Sequence, residues 1–376
     1  MKKILIVFHD NNMHSGATMS MLTNLEYLYK QKDKFKLWAI IPKKNGDLSS
    51  YLKEMDVTVI QSFYGGNIYK AGFHGIKKII MIIRCFLKTV LSYISCIKDS
   101  IQLKNEGINI VYTNTSTIYY GAWLSNLLNA KHIWHFREFC FEDQNSLRIF
   151  DRYFKKMAQK SEKIITISNL MNKYYVEKYY LNNTIMLYND IAPEYAVIEK
   201  KQHIGTNLLI TGTLSESKGQ LIAIHAMEKM QKLNIKLFIA GAMNSYGRNL
   251  LKYVKDNNIQ NVTFCGMVKD MKKLRQNIDI SIVCSKSEAF GRTIIEDMLS
   301  KILVVACNTG SVQELVKDNE TGIVYQYNRD DELAKKIIDI IKNNEKYNYI
   351  TGNAREFADG FIQFNTAKAI EKIMEE

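Results

Sequence analysis

The run from Cys284 to Met298 gathers the residues best able to do chemistry, among them Ser285, Ser287, Glu288, Phe290, Gly291, Arg292 and Glu296. Two glutamates stand eight residues apart around a Phe-Gly turn. An apolar strand pattern precedes the turn and a helical pattern (293–300) follows it. Such a turn offers backbone N–H groups and a helix N-terminus, a setting that suits a diphosphate or sugar hydroxyls. A carboxylate there accepts hydrogen bonds from vicinal hydroxyls. Thr293-Ile294-Ile295-Glu296 also fits a capping box, in which Glu296 would only satisfy backbone donors. Upstream, Thr211-Gly212-Thr213-Leu214-Ser215-Glu216-Ser217-Lys218-Gly219 sets a lysine in a glycine-bounded loop after another strand. By itself that lysine reads equally as a surface charge.

Together these segments resemble retaining glycosyltransferases of family 4. Glu288 to Glu296 is similar to that family's E-x-F-G-x-x-x-x-E signature, and 211–219 resembles its G-R-L-x-x-x-K-G loop. Asn189 lies where the family has an Asn-Gly dipeptide, and Trp134-His135-Phe136-Arg137-Glu138 carries a weaker N-terminal match. The resemblance implies the GT-B fold and a nucleotide-diphosphate sugar as substrate, a UDP-sugar before a GDP-sugar, with no cofactor. It further implies that Lys218 neutralises the donor diphosphate, Glu288 lies beside the transferred sugar and Glu296 binds the ribose hydroxyls. The amides around Phe290 and Gly291 would hold sugar hydroxyls or phosphate. Gly16 would let the diphosphate approach, and His135 would lie near the sugar. Glu288, His135 and Lys218 are thus the expected catalytic residues. The family's loop arginine is Thr213 here, which removes a bidentate phosphate ligand, and Arg292 is the expected replacement. The same motifs look like bacterial enzymes of capsule or exopolysaccharide assembly, with a glycan or lipid-linked saccharide as acceptor. Two rival readings share the fold: a non-catalytic, membrane-associated partner subunit, and a nucleotide-sugar epimerase.

Positioning these residues requires α/β architecture. Strand and helix patterns alternate from Lys3 onward and restart after Pro193, which predicts two Rossmann-like domains with parallel sheets. We place an acceptor domain at 1–195, joined by the C-terminal helix 361–376, and a nucleotide-sugar domain at 200–358. Ligands of such sheets bind at the carboxyl ends of the strands, so the cleft between the domains is the expected site.

Composition narrows the remaining classes. With 47% hydrophobic and 24% charged residues, the chain has the profile of a folded protein and not of a disordered one. The six cysteines include no CxxC pair, and neither HExxH nor DxD occurs, so no metal is expected. Residues 1–200 hold 27 Lys+Arg against 17 Asp+Glu, while 201–376 hold 24 against 21. The surplus points to an anionic partner of the N-terminal half. Nucleic acid is not expected, because the cations lack interleaved stacking aromatics. The stretch 75–104 is apolar with Lys77, Arg84 and Lys88 within about 40° on a helical wheel, the pattern of a helix in an anionic membrane interface. Arg84 interrupts its apolar run, and no uninterrupted span of about 18–20 apolar residues is found. The expected location is the cytoplasm, peripheral on the inner face of the membrane.

Overall fold

The computed structural model describes residues 1–196 and 199–376. Val197 and Ile198, inside the expected linker, lie outside the described residues. The chain divides into two compact units: Met1–Asp190 with Phe364–Glu376, and Ile191–Gln363.

In the first unit, seven strands form one parallel sheet: β1 (Lys2–Val7), β2 (Phe35–Pro42), β3 (Thr58–Ser62), β5 (Ile110–Thr113), β6 (Lys131–Phe136), β8 (Lys163–Thr166) and β9 (Thr184–Met186). Their order is β3-β2-β1-β5-β6-β8-β9, and β4 (Ile68–Lys70) pairs separately with β7 (Ser146–Arg148) as a short antiparallel ribbon. The central strands are apolar on both faces because helices cover both, and Ile4 through Phe8 are fully buried. The second unit repeats the plan with β10 (Thr206–Thr211), β11 (Ile235–Ala240), β12 (Val262–Gly266), β13 (Ile280–Val283), β14 (Leu303–Cys307) and β15 (Ile323–Tyr325). Its order, β12-β11-β10-β13-β14-β15, reverses direction between β10 and β13. That reversal opens a crevice beyond the carboxyl ends of these two strands. The loops Gly212–Gly219 and Cys284–Gly291 leave the carboxyl ends of these two strands.

Five strands, β4, β7, β8, β9 and β15, were not anticipated from sequence. They are three or four residues long, too short for a periodic signal, and the sheet they join stabilises them. The sequence also showed no apolar run long enough to cross a bilayer. Among the described residues one helix, counted from Gly75 to Glu106, is long and apolar enough by length and composition to do so. The difference arises because a single cation such as Arg84 interrupts an apolar run without making the surrounding helix polar on average.

After Gln363 the chain returns to the first unit. Asp190 accepts hydrogen bonds from the backbone N–H of Thr366 (3.2 Å) and Ala367 (2.8 Å), holding the start of the helix Asn365–Glu375. Burial, opposed by these backbone donors, pushes the Asp190 carboxyl up to about 6. Ile370 and Met374 then enter the core beside Leu25 and Leu28. Glu371 accepts from Tyr27 Oη at 2.8 Å and from Lys34 Nζ at 2.6 Å. All three tryptophans, Trp38, Trp123 and Trp134, lie in this unit, so their fluorescence follows its unfolding alone. Truncating the fully buried Ile370 to alanine should cost about 2–5 kcal/mol. The measurement is a urea transition followed by tryptophan emission; an unshifted midpoint would show that the last helix adds no stability.

Candidate functional site

The loops at the carboxyl ends of β10 and β13 bring Lys218 and Glu288 together. Lys218 Nζ donates to Glu288 Oε2 at 2.7 Å, with the two side chains 32% and 18% exposed. A small recess beside the pair is lined by Thr211, Ser285, Thr293 and Asp297 as well. The approach is close because side chains are missing at two backbone positions. A Cβ on Gly219 (φ +69°) would lie 2.3 Å from the Cys284 carbonyl oxygen, and one on Gly310 (φ +56°) 2.4 Å from the Glu288 nitrogen. Ser311 ties the same loop down by donating from Oγ to the Glu288 and Ala289 carbonyls, each at 2.6 Å.

Glu296 lies on the helix Arg292–Leu299, whose N-cap is Gly291. It therefore does not cap through Thr293 as its spacing suggested; it sits too far into the helix to reach the N-cap backbone. Instead Arg292 Nε donates to its Oε1 at 2.7 Å and Arg275 Nη2 to its Oε2 at 2.8 Å. Arg275 is fully buried and also holds Asp297 through Nε at 2.7 Å, and Ser281 Oγ donates to the second Asp297 oxygen. Two arginines and two carboxylates thus balance in a dry setting, where breaking one pair strands a charge. Each Glu296 oxygen accepts one arginine and keeps a further lone-pair direction for a hydroxyl donor. Arg292, the expected stand-in for the arginine missing at Thr213, is engaged with Glu296 and lies 5.8 Å from the Tyr195 ring. The Phe290 side chain is buried at 6.0 Å from Phe361, so any ligand contact from this residue comes from its main chain.

In the first unit the equivalent strand ends carry His9 after β1, Asn114 after β5 and Arg137 after β6. Gly16 opens the helix Gly16–Tyr29, and among the described residues no packing neighbour lies within 4 Å of where its Cβ would be. The fold itself therefore does not demand glycine there. His135 is fully buried on β6. Its Nδ1 faces Tyr112 Oη at 2.7 Å and Arg137 Nη2 at 3.2 Å. A guanidinium only donates, so Nδ1 accepts and Nε2 carries the proton, with no partner for it among the described residues. Burial, then the Arg137 charge, holds the imidazole well below its usual range. Arg137 Nε donates to Asn114 Oδ1 at 2.8 Å, and Nη1 donates to Asn189 Oδ1. Burial pushes the adjacent Glu138 up to about 7.

His9, Asn114 and Arg275 escaped the sequence reading. The first two follow directly on apolar strands at the switch point, a positional signal that was available. Arg275 gave none, because nothing local shows that a cation in a basic run (Lys272, Lys273, Arg275) is buried.

Residues 195–357 match the profile described as glycosyl transferases group 1. An uncharacterized glycosyltransferase of Methanocaldococcus jannaschii is 26% identical over 73% of this chain and 77% of its own length. A GalNAc-alpha-(1->4)-GalNAc-alpha-(1->3)-diNAcBac-PP-undecaprenol alpha-1,4-N-acetyl-D-galactosaminyltransferase of Campylobacter jejuni is 23% identical over 56% of this chain and 59% of its own. Among solved structures, Anabaena HepE in complex with UDP and glucose superposes over all of both chains with a TM-score of 0.79 at 18% identity.

Gly310→Ala should displace Glu288 and lower kcat/KM about tenfold or more, since its Cβ meets backbone and no yielding side chain. Unchanged kinetics would show that this loop tolerates movement. A pH dependence follows from the buried histidines. His132, held by Thr113 and Ser161, is pushed down to about 3 by burial. Unfolded histidine binds a proton below about 6.5 and folded His132 does not, so its stabilisation is present above that pH and lost as pH falls. Glu138 and Asp190, raised to about 7 and about 6, act in the opposite sense. His132→Gln should therefore lose less stability than the parent between pH 6.5 and 4.5 in tryptophan-monitored denaturation; parallel curves would refute the assignment.

The group 1 profile on the second unit and relatives named as glycosyltransferases give the activity, and the likeness to solved structures gives the fold alone: the chain is a glycosyltransferase of the GT-B fold.

Proposed function

We propose that the enzyme works with retention and without a metal ion, moving a sugar from a nucleoside diphosphate to a glycan or lipid-linked saccharide in cell-surface polysaccharide synthesis, such as that of a capsule or exopolysaccharide. A uridine diphosphate sugar is the first donor choice, supported by HepE holding UDP and glucose, and a guanosine diphosphate sugar the second. The Campylobacter relative, whose name carries a PP-undecaprenol acceptor, supports the lipid-linked choice. The reading places the work in the cytoplasm, against the inner face of the membrane.

The observation that carries this reading is the Lys218–Glu288 pair at the switch point of the second sheet. In the ligand-free state each group neutralises the other. A diphosphate arriving at the crevice competes for the ammonium and frees the carboxylate to accept from sugar hydroxyls. During transfer the acceptor oxygen bonds to the anomeric carbon on the face that the diphosphate leaves. The carbon–oxygen bond to the diphosphate breaks with its electron pair, and the acceptor proton passes to a phosphate oxygen. Lys218 stabilises the charge that grows on the leaving group, and the N-terminus of the helix Arg292–Leu299 adds to it. Glu296, clamped by Arg275 and Arg292, offers its remaining lone pairs to a ribose. His135 serves as a neutral donor and not as a general base, and Gly16 leaves room for a phosphate.

Lys218→Ala should reduce transfer about 10²–10³-fold, the scale of losing one preorganised charge donor. The assay is release of UDP or GDP from a panel of nucleotide sugars, with and without EDTA. Full inhibition by EDTA would remove the metal-free mechanism, and an unaltered rate for the variant would remove Lys218.

A further inference from the structure

The helix Gly75–Leu103 is amphipathic in the reverse of the usual sense. The side it packs against its own unit carries Cys85, Thr89, Ser92, Cys96, Asp99 and Leu103, small or polar apart from the last, within an arc of about 80° at 100° per residue. Asp99 is sealed there by a hydrogen bond from Tyr120 Oη, and Thr89 by one from Asn67 Nδ2 at 2.9 Å. The opposite side holds twelve exposed large apolar side chains, among them Ile76 (76%), Ile83 (51%), Leu87 (54%), Ile94 (56%) and Ile101 (70%). A soluble monomer rarely shows a contiguous apolar patch beyond about 300–600 Å². The patch also continues off the helix, for Phe150 meets Phe86 with ring centroids 6.0 Å apart and is itself 48% exposed beside the exposed Tyr153.

The charges around this face select its occupant. Lys77 and Arg84 line one edge, Lys98 lies near it, and Arg152 and Lys156 stand exposed next to Tyr153, whereas the half-buried Lys88 amine turns in against Gly65. From Gly75 to Lys104 the only acidic residue is the buried Asp99. A second copy of this chain would bring the same patch against itself, cation against cation. A bilayer with anionic headgroups takes the apolar face into its acyl boundary and the cations at its surface. Crossing the bilayer is excluded, because one side of the helix from Cys85 to Leu103 is committed to the unit's interior.

We infer that this helix, with Phe150 and Tyr153, is a membrane-docking face that lies flat in an anionic bilayer, its outward isoleucines and leucines immersed. The inference deepens the proposed use of a lipid-linked acceptor and rests on that reading for its purpose. The docking is measured with no sugar donor or acceptor present, so the two fail separately.

The test is co-sedimentation of the full chain with vesicles of phosphatidylglycerol and phosphatidylcholine, compared with phosphatidylcholine alone. The expected result is preferential binding to the anionic vesicles that largely survives high salt, since apolar burial does not screen. Substituting Ile83→Asp, Leu87→Asp and Ile94→Asp together should weaken binding about a hundredfold or more. These positions are exposed, so tryptophan emission and UDP binding should stay at parental values and show an intact fold. Lys77→Glu with Arg84→Glu should erase the preference for anionic over neutral vesicles. The inference is overturned if the parent stays in the supernatant with anionic vesicles, or if the triple variant sediments as the parent does. Light scattering that shows a parental dimer, abolished by the triple variant, in the absence of vesicle binding would assign the face to self-association instead.

Discussion

The second unit is organised around two loops that must touch although they leave different strands. Reversal of strand order between β10 and β13 places the carboxyl ends of these strands side by side. Contact between their loops then requires backbone to meet backbone, which glycine at 219 permits, while glycine at 310, on the loop after β14, lets a third loop press against the Glu288 main chain. The Lys218–Glu288 ion pair is the product of that contact. Neither side chain would be worth much as a solvated surface charge. Held together in a partly enclosed recess, they form a charge pair that a diphosphate and a sugar can separate.

Behind this pair lies a second electrostatic device of different character. Arg275 has no exposed surface, and it bonds both Glu296 and Asp297. Burial works against its charge, but the two carboxylates more than offset that cost and raise its affinity for the proton. A buried group of this kind adds little net stability over an apolar one, yet it allows few arrangements. The consequence is orientation. Glu296 cannot rotate away without leaving the buried Arg275 Nη2 without its acceptor, so the carboxylate is preorganised before any nucleotide arrives.

The first unit shows what happens when a helix faces two solvents. Gly75–Leu103 satisfies its polar residues inward, through Tyr120 and Asn67, and turns its isoleucines outward. In water that arrangement wastes apolar burial, so the outward face calls for a covering phase that water does not provide. A basic N-terminal half is coherent with the same demand, for Lys77, Arg84, Arg152 and Lys156 stand exposed on or beside this face.

Much of the fold and part of the site could be read directly from the chain. Alternation of apolar strand runs with helical spacing was enough for two parallel α/β units, because strands covered on both faces must be almost wholly apolar. The spacing of Glu288 and Glu296, and the lysine in its glycine loop, were legible because each is local to one strand–loop–helix segment. What lay beyond reach depends on partners distant in sequence. That Glu296 is clamped and not a cap follows from Arg275, twenty-one residues away and buried. That His135 is neutral with its proton on Nε2 follows from Tyr112 and Arg137. Which side of the helix Gly75–Leu103 faces outward could not be read from its periodicity, since a wheel shows two faces and not which one the domain occupies. Local pattern determined the elements and the chemistry available at their ends. Charge pairing, tautomer and exposure were decided only when tertiary packing chose which groups lost their water.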